Sequence, residues 1–431
     1  MRPGAQIRAA AEILEEVLGR HRPAAAALAD WGKGHRFAGS GDRAAIGNLV
    51  YDALRCRRSL AARMQSDAPR ALALAAAARA LAVPPAALVA SADGSAYSLE
   101  PLSEAERAGV TGAAPAEMPA GVRADIPDWL ETSFARAFGA AAASEGAALA
   151  RRAPVDLRVN TLKADREKVL KSLAKFDPQP TPYSAVGVRL APRDGPRRQA
   201  NVEAEVGHGR GWYEVQDEGS QLAALLAQAA PRLQVLDICA GAGGKTLAFA
   251  AAMRNTGQVY AYDEDRQRLR PIIERLKRAG ARNVQVLPAG EPSALAALAD
   301  RFDLVFIDAP CTGSGAWRRH PDAKWRLRPA NLAQRQAEQR QLLAAAAGHV
   351  KVGGRLLYVT CSVLPEENDD QITWFQSHHA SFAAVPWREA WTRGVGGVAP
   401  ASANGRDDRL LLTPARHATD GFFIAGFLRT A

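Results

Sequence analysis

Two cysteines of this chain sit in similar company. Cys311 lies in the block Asp308-Ala309-Pro310-Cys311-Thr312-Gly313-Ser314-Gly315, and Cys361 in Thr360-Cys361-Ser362-Val363-Leu364-Pro365-Glu366-Glu367-Asn368. Each block follows an apolar run, 304–307 and 356–359, that predicts a buried strand. In an open α/β sheet the ligand crevice lies just past the carboxyl ends of the strands, so both thiols and the Asp308 carboxylate are expected there. A lone cysteine is commonly a small buried hydrophobe. Here Cys239, Cys311 and Cys361, three of the four cysteines, stand at strand ends, which favours nucleophilic chemistry by a thiolate.

A third block, Val235-Leu236-Asp237-Ile238-Cys239-Ala240-Gly241-Ala242-Gly243-Gly244-Lys245-Thr246, reads as strand, glycine turn and helix, the helix beginning near Lys245. Glycines let the main chain approach a ligand, and a helix start offers unpaired N–H groups. Two nucleotide motifs are disfavoured: a Walker loop needs glycine where Cys239 stands, and the dinucleotide fingerprint needs a small residue where Thr246 stands. What remains is an acid followed by Gly-x-Gly, with Asp263 at the end of the next strand, where a carboxylate can accept hydrogen bonds from ribose hydroxyls. That set suits S-adenosylmethionine. Lys245 fits either a contact in this cleft or a solvated lysine.

The elements that must hold these blocks follow from periodicity. Ile7, Ala11, Leu14 and Leu18 define a helix over 7–18, and Ile46, Leu49, Val50 and Leu54 another over 42–54. Residues 68–90 are rich in alanine and leucine, broken by Pro84 and Pro85, and 94–125 read as a loose, small and polar connection. From about Ile126 a small α+β lobe is expected, with strands over 155–159 and 186–190 and a helix over 165–173. Apolar runs at 235–238, 259–262, 284–287, 304–307 and 356–359, separated by helical stretches, predict a largely parallel sheet covered on both faces. The division expected is 1–125 all-helical, 126–210 small α+β, RRM-like lobe, and 211–431 Rossmann-like α/β domain.

Composition agrees with such a chain. At 431 residues, with 48% hydrophobic and 23% charged, it is too long for one small module and apolar enough to fold. Fifty-five Lys and Arg against 45 acidic residues leave +10, so a polyanion partner is plausible. Few cysteines and no C-x-x-C spacing argue against disulfides and zinc, and no stretch reaches the roughly 18 apolar residues of a membrane span. A cytoplasmic, metal-free monomer off the membrane is expected. The stretch Trp317-Arg318-Arg319-His320-Pro321-Asp322-Ala323-Lys324-Trp325-Arg326 interleaves aromatics with cations, which suits either a solvated charged face or phosphates and unpaired bases. His320 has no second ligand at metal spacing.

Taken together, these blocks resemble the Sun (Fmu-type, RsmB/NOP) branch of the RNA cytosine-5 methyltransferases. Further similarity lies in Leu157-Arg158-Val159-Asn160-Thr161, in Val215-Gln216-Asp217 with Gln221, and in Asp420-Gly421-Phe422-Phe423. More weakly, 7–60, including Asp42-Arg43-Ala44, resemble the helical antitermination-factor-like (NusB-like) RNA-binding domain of that branch. Two positions depart from the pattern: Ala242 stands where proline is usual, and Ala289 followed by Gly290 replaces the aspartate thought to face the adenine.

The resemblance implies methylation of cytosine C5 in RNA, with small-subunit (16S) ribosomal RNA as substrate and S-adenosylmethionine as cofactor. It assigns Cys361 as the nucleophile that adds to C6, Cys311 to breakdown of the adduct, and Asp308 to the pyrimidine N3 and amine. It places the cofactor on Cys239, Ala240, Gly241, Ala242, Gly243, Gly244, Lys245, Asp263 and Asp308, and RNA on Arg318, Arg319, His320, Lys324 and Trp325. Spacing alone does not distinguish the two thiols. The alternatives are an RNA-binding or ribosome-assembly factor of the same fold with impaired turnover, suggested by Ala289, and a DNA cytosine methyltransferase that would use Cys311.

Overall fold

A computed structural model describes residues 1–96, 98–113 and 115–431, which form two compact units. One comprises Met1–Ala153, Pro192–Gln199 and Trp317–Leu327; the other comprises Pro154–Ala191, Ala200–Ala316 and Arg328–Ala431.

The first unit is helical. Pro3–Gly19 and Ser40–Arg55 contain the two helices predicted from periodicity and bury Ile7, Leu14, Ile46, Leu49 and Leu54. The alanine-rich run folds as Pro69–Ala80, a helix buried nearly all round: Leu72, Ala73, Leu74 and Ala77 are each at most 1% exposed. A helix enclosed by others needs small side chains and shows no polar face, so its sequence carries no amphipathic period. The stretch expected to be loose holds the helix Glu104–Thr111, whose start is fixed by a Ser103–Glu106 capping box. Tyr97 and Ala114 within that stretch lie outside the described residues.

The segment Trp317–Leu327 belongs to this helical unit. Lys324 is 1% exposed and its Nζ donates to the Arg55 carbonyl at 2.9 Å, while Arg55 Nε donates to the Arg318 carbonyl at 2.8 Å. The Trp325 indole N–H donates to the Leu54 carbonyl at 2.6 Å, and Trp317 stacks on Phe134. Burial pushes the Lys324 ammonium down to about 8. Arg318 and Lys324, expected to face RNA, are buried, and the Trp325 indole N–H is occupied. The cation–aromatic alternation that suggested stacked bases is satisfied inside the protein, with Lys324 Nζ 4.8 Å from the Trp325 ring. His320 is exposed and Arg319 half-buried.

The second unit carries two sheets. A small antiparallel sheet is ordered β2-β3-β1-β4, from β1 (Val155–Val159), β2 (Gln179–Pro180), β3 (Gly187–Leu190) and β4 (Tyr213–Val215). The large sheet contains β5 (Gln234–Asp237), β6 (Gln258–Ala261), β7 (Val284–Val286), β8 (Phe302–Asp308), β9 (Val350–Thr360), β10 (Phe382–Val385), β11 (Arg409–Leu412) and β12 (Phe422–Arg429). Its order is β10-β12-β9-β8-β5-β6-β7, with β11 also on β12. Strands β5 to β9 are parallel; β12 runs antiparallel beside β9. Val235, Val259, Leu304, Phe306, Leu357 and Val359, alternating along their strands, bury one face. Phe249, from the helix Gly244–Ala252 that follows the glycine turn, packs edge-on against Phe306 at 5.0 Å. The middles of β5, β6 and β8 are apolar and buried, and Asp237 and Asp308 stand at carboxyl ends.

If Lys324 is a packing group, Lys324→Ala removes a buried donor and opens a cavity, costing about 2 to 4 kcal/mol. Denaturant unfolding should show that loss, while the salt dependence of RNA binding keeps its slope. A slope reduced by about one, with unchanged stability, would mark a phosphate contact instead.

Candidate active site

The parallel register brings the polar groups together. Asp237 ends β5, Asp263 follows β6 by two residues, Asp308 ends β8, and Cys361 follows the last residue of β9. Asp308 lies opposite Val359 in the β8–β9 pairing, so the loop after each strand starts at the same level. The result is a Cys311 Sγ to Cys361 Sγ distance of 3.4 Å.

Both cysteine loops are tied down by buried hydrogen bonds. The Glu367 carboxylate accepts from the Thr312 N–H at 2.8 Å and hydroxyl at 2.5 Å, and from Gln339 Nε2 at 3.2 Å. Thr360 and Ser362, flanking Cys361, are held by Asn368, whose Oδ1 accepts from Thr360 Oγ1 at 2.6 Å and whose amide donates to the Ser362 carbonyl at 2.9 Å. Gly315 N–H donates to the Cys361 carbonyl and Gly421 N–H to the Gly315 carbonyl, both at 2.9 Å. That approach requires glycine: a Cβ on Gly315 would stand 2.2 Å from the Gly421 carbonyl oxygen. Half-buried, Cys311 has its thiol pKa pushed well up by the hydrogen bond it shares with Cys361 and by burial.

Lys245, 7% exposed, is no solvated lysine. Its Nζ meets Asp308 Oδ2 at 2.5 Å and lies 5.6 Å from the Phe422 ring centroid. Asp308 thus sits between the glycine turn and the thiol pair.

In the glycine turn, Gly241 (φ +49°) donates its N–H to Asp263 Oδ2 at 2.9 Å, and Gly243 (φ +85°) caps the helix. A Cβ on Gly243 would lie 2.6 Å from Ile272 Cγ1, so side chains are excluded by space as well as by φ. Asp237 is fully buried; Oδ2 accepts from the Thr246 hydroxyl at 2.7 Å, and Oδ1 has no partner among the described residues. Burial, with Asp308 and Asp263 nearby, pushes its carboxyl up to about 7. Cys239 has its thiol raised by burial and by the same three aspartates. A crowd of carboxylates around a glycine turn fits a cationic, ribose-bearing ligand. Ala289 lines a neighbouring cleft of about 680 Å³ with Leu269, Ile272 and Val286.

The sequence analysis did not single out Glu367, Asn368 or Gln339 as groups that position the thiols. Glu367 and Asn368 stood inside the Cys361 block, whereas Gln339 comes from the helix Pro329–Ala347, and only folding brings it in.

The sheet order, the glycine turn after β5 and the acid after β6 define a Rossmann-like, S-adenosylmethionine-dependent methyltransferase. Residues 224–428 match the family described as 16S rRNA methyltransferase RsmB/F, and 126–193 match the ferredoxin-like domain of RsmF/B-like methyltransferases. The chain is 33% identical over 314 residues to a probable ribosomal RNA small subunit methyltransferase B of Synechocystis sp., covering 71% of this chain and 67% of that protein. It is 35% identical over 308 residues to ribosomal RNA small subunit methyltransferase B of Sodalis glossinidius, covering 70% and 65%. The crystal structure of PH0851 superposes with a TM-score of 0.73 at 25% identity, covering 100% of this chain and 99% of that one. The chain belongs to the RsmB/F family of 16S rRNA methyltransferases, and spans about two thirds of the length of these two relatives. Among the described residues no helix is long and apolar enough to cross a membrane, and no cluster of metal-ligating side chains occurs.

The raised Asp237 carboxyl predicts a pH signature. The folded state keeps a proton that the unfolded chain releases near pH 4, so this group lowers stability as pH rises from about 4 to about 7. Asp237→Asn removes that slope. The guanidinium midpoint of the variant should climb relative to wild type across this window, by the equivalent of a few kcal/mol at most. A pH-independent difference would contradict the burial.

Proposed function

We propose that the chain methylates C5 of a cytosine in small-subunit ribosomal RNA, with Cys361 as nucleophile. The observation that carries this reading is the pair of thiols 3.4 Å apart, beside an aspartate paired to the cofactor-loop lysine.

Cytosine C5 is a weak nucleophile, so it needs covalent activation. The Cys361 thiolate adds to C6, and the electrons of the C5–C6 double bond move onto the ring. Asp308 accepts from the exocyclic amine, and from N3 once water has protonated it, where charge develops during addition. When bound on the glycine turn, S-adenosylmethionine supplies the electrophilic methyl group that C5 accepts. Water takes the C5 proton, the electrons of that bond re-form the C5–C6 double bond, and the Cys361 sulfur leaves as thiolate, a step that Cys311 assists. The hydrogen bond it shares with Cys361, together with burial, raises the Cys311 thiol and keeps it against the neighbouring sulfur, which supports a part for Cys311 in the later step. A base reaching this cleft must be unpaired or turned out of its stack. His320 and Arg319 are the members of the cationic stretch we keep as RNA contacts.

Cys361→Ala should lower transfer of radiolabelled methyl groups to 30S-derived RNA by at least about 10³-fold. Cys311→Ala should leave a covalent protein–RNA band on a denaturing gel, because the adduct forms and does not resolve. Retained methylation in Cys361→Ala would instead assign the nucleophile to Cys311, as in a DNA-type cytosine methyltransferase. Wild-type protein that binds RNA and transfers no methyl would favour an assembly factor.

A further inference from the structure

We infer that Arg275 is a positioning residue for the cofactor turn, clamped by Glu214 of the small lobe, so that this lobe sets the affinity for the cofactor. Gly243 is the second left-handed residue of the turn, after Gly241. The carbonyls on either side of it are both gripped by arginines. Arg275 Nη1 donates to the Ala242 carbonyl at 2.7 Å, and Arg158 Nη1 donates to the Gly244 carbonyl at 2.6 Å. Because a trans peptide points its N–H away from its carbonyl, holding these two oxygens also aims the Gly243 and Lys245 N–H groups. The Gly243 N–H is returned to the Ala240 carbonyl at 2.8 Å, which closes the turn.

Neither arginine is held by the turn itself. Arg275 directs Nε and Nη2 at Glu214 Oε2, at 3.2 and 2.8 Å. Glu214 is 4% exposed, lies on β4, and stands directly opposite Arg158 in the β1–β4 register. Arg158 is buried and also meets the Gln216 side-chain oxygen. Two residues on, just past the end of β1, Asn160 donates to the Ala279 carbonyl at 2.8 Å at the end of the helix that carries Arg275. The Arg-x-Asn pattern and the buried acid of the small lobe thus converge on one turn of the catalytic domain.

Arg278 provides the comparison. Its Nη2 bonds both oxygens of the same Glu214, at 2.6 and 2.8 Å, and among the described residues its side chain makes no hydrogen bond to the turn. A role limited to tying the lobe down would be shared by Arg275 and Arg278; a role in positioning the turn belongs to Arg275.

The inference rests on the glycine turn as cofactor site and not on which base is methylated, so its readout omits RNA. Binding of S-adenosylhomocysteine to the full chain is measured by calorimetry, with thermal unfolding alongside. Arg275→Met should weaken binding about tenfold, Arg278→Met less than about twofold, and Arg275→Lys, which keeps one donor, should fall between. With RNA present, the apparent KM for the cofactor should rise in Arg275→Met while kcat changes less than about twofold. Wild-type binding by Arg275→Met, or equal weakening in both methionine variants, overturns the inference. Should Arg275→Met not fold, Arg275→Lys carries the test: binding weaker than that of Arg278→Met supports the inference, and equal binding overturns it. Failure of methyl transfer to RNA, with this binding pattern intact, would count against the proposed reaction only.

Discussion

The parallel pairing of β8 with β9 is the constraint on which the site depends. With Asp308 opposite Val359, the two chains leave the sheet at the same height, and their next few residues have to share one small volume. A slip of one residue would turn every side chain to the opposite face, putting Val305 or Ile307 where Phe306 packs and Tyr358 or Thr360 where Val359 packs. The hydrophobic layer formed by Leu304, Phe306, Leu357 and Val359 is therefore what places one sulfur against the other. The catalytic chemistry inherits its geometry from apolar packing several residues away.

Around that register the polar groups work by exclusion and by charge. Asp237, Asp263 and Asp308 crowd one edge of the sheet, and a single buried lysine, Lys245, answers the last of them. Burial, with that crowd beside it, raises the Asp237 carboxyl to about 7 and lifts the Cys239 thiol well above its ordinary value. Arg158 of the small sheet and Arg275 of the helix Ile272–Ala279 hold the carbonyls of the turn, so its backbone is oriented from two elements at once.

Legibility in the sequence followed the range of the interactions. The glycine turn, the acids at strand ends and both thiol blocks were visible because each is a local pattern at the end of an apolar strand. The antiparallel strands β10, β11 and β12 carry no such signal, and β4 is only three residues long. Glu214 shows its purpose only through Arg275 and Arg278, some sixty residues on. The stretch from Trp317 to Arg326 supports two readings in sequence. Aromatics alternating with cations look alike whether they wait for a base or hold each other, and burial of Lys324 between two tryptophans decides for the latter.

The central claim is that the sulfur of Cys361 bonds to a pyrimidine. RNA carrying 5-fluorocytosine at the target position cannot lose a proton from C5, so the protein should remain attached after methyl transfer. Digestion and mass spectrometry should then find the nucleotide on the peptide containing Cys361, heavier by one methyl group. Attachment at Cys311, or methylated RNA released with no adduct at either cysteine, would contradict the account.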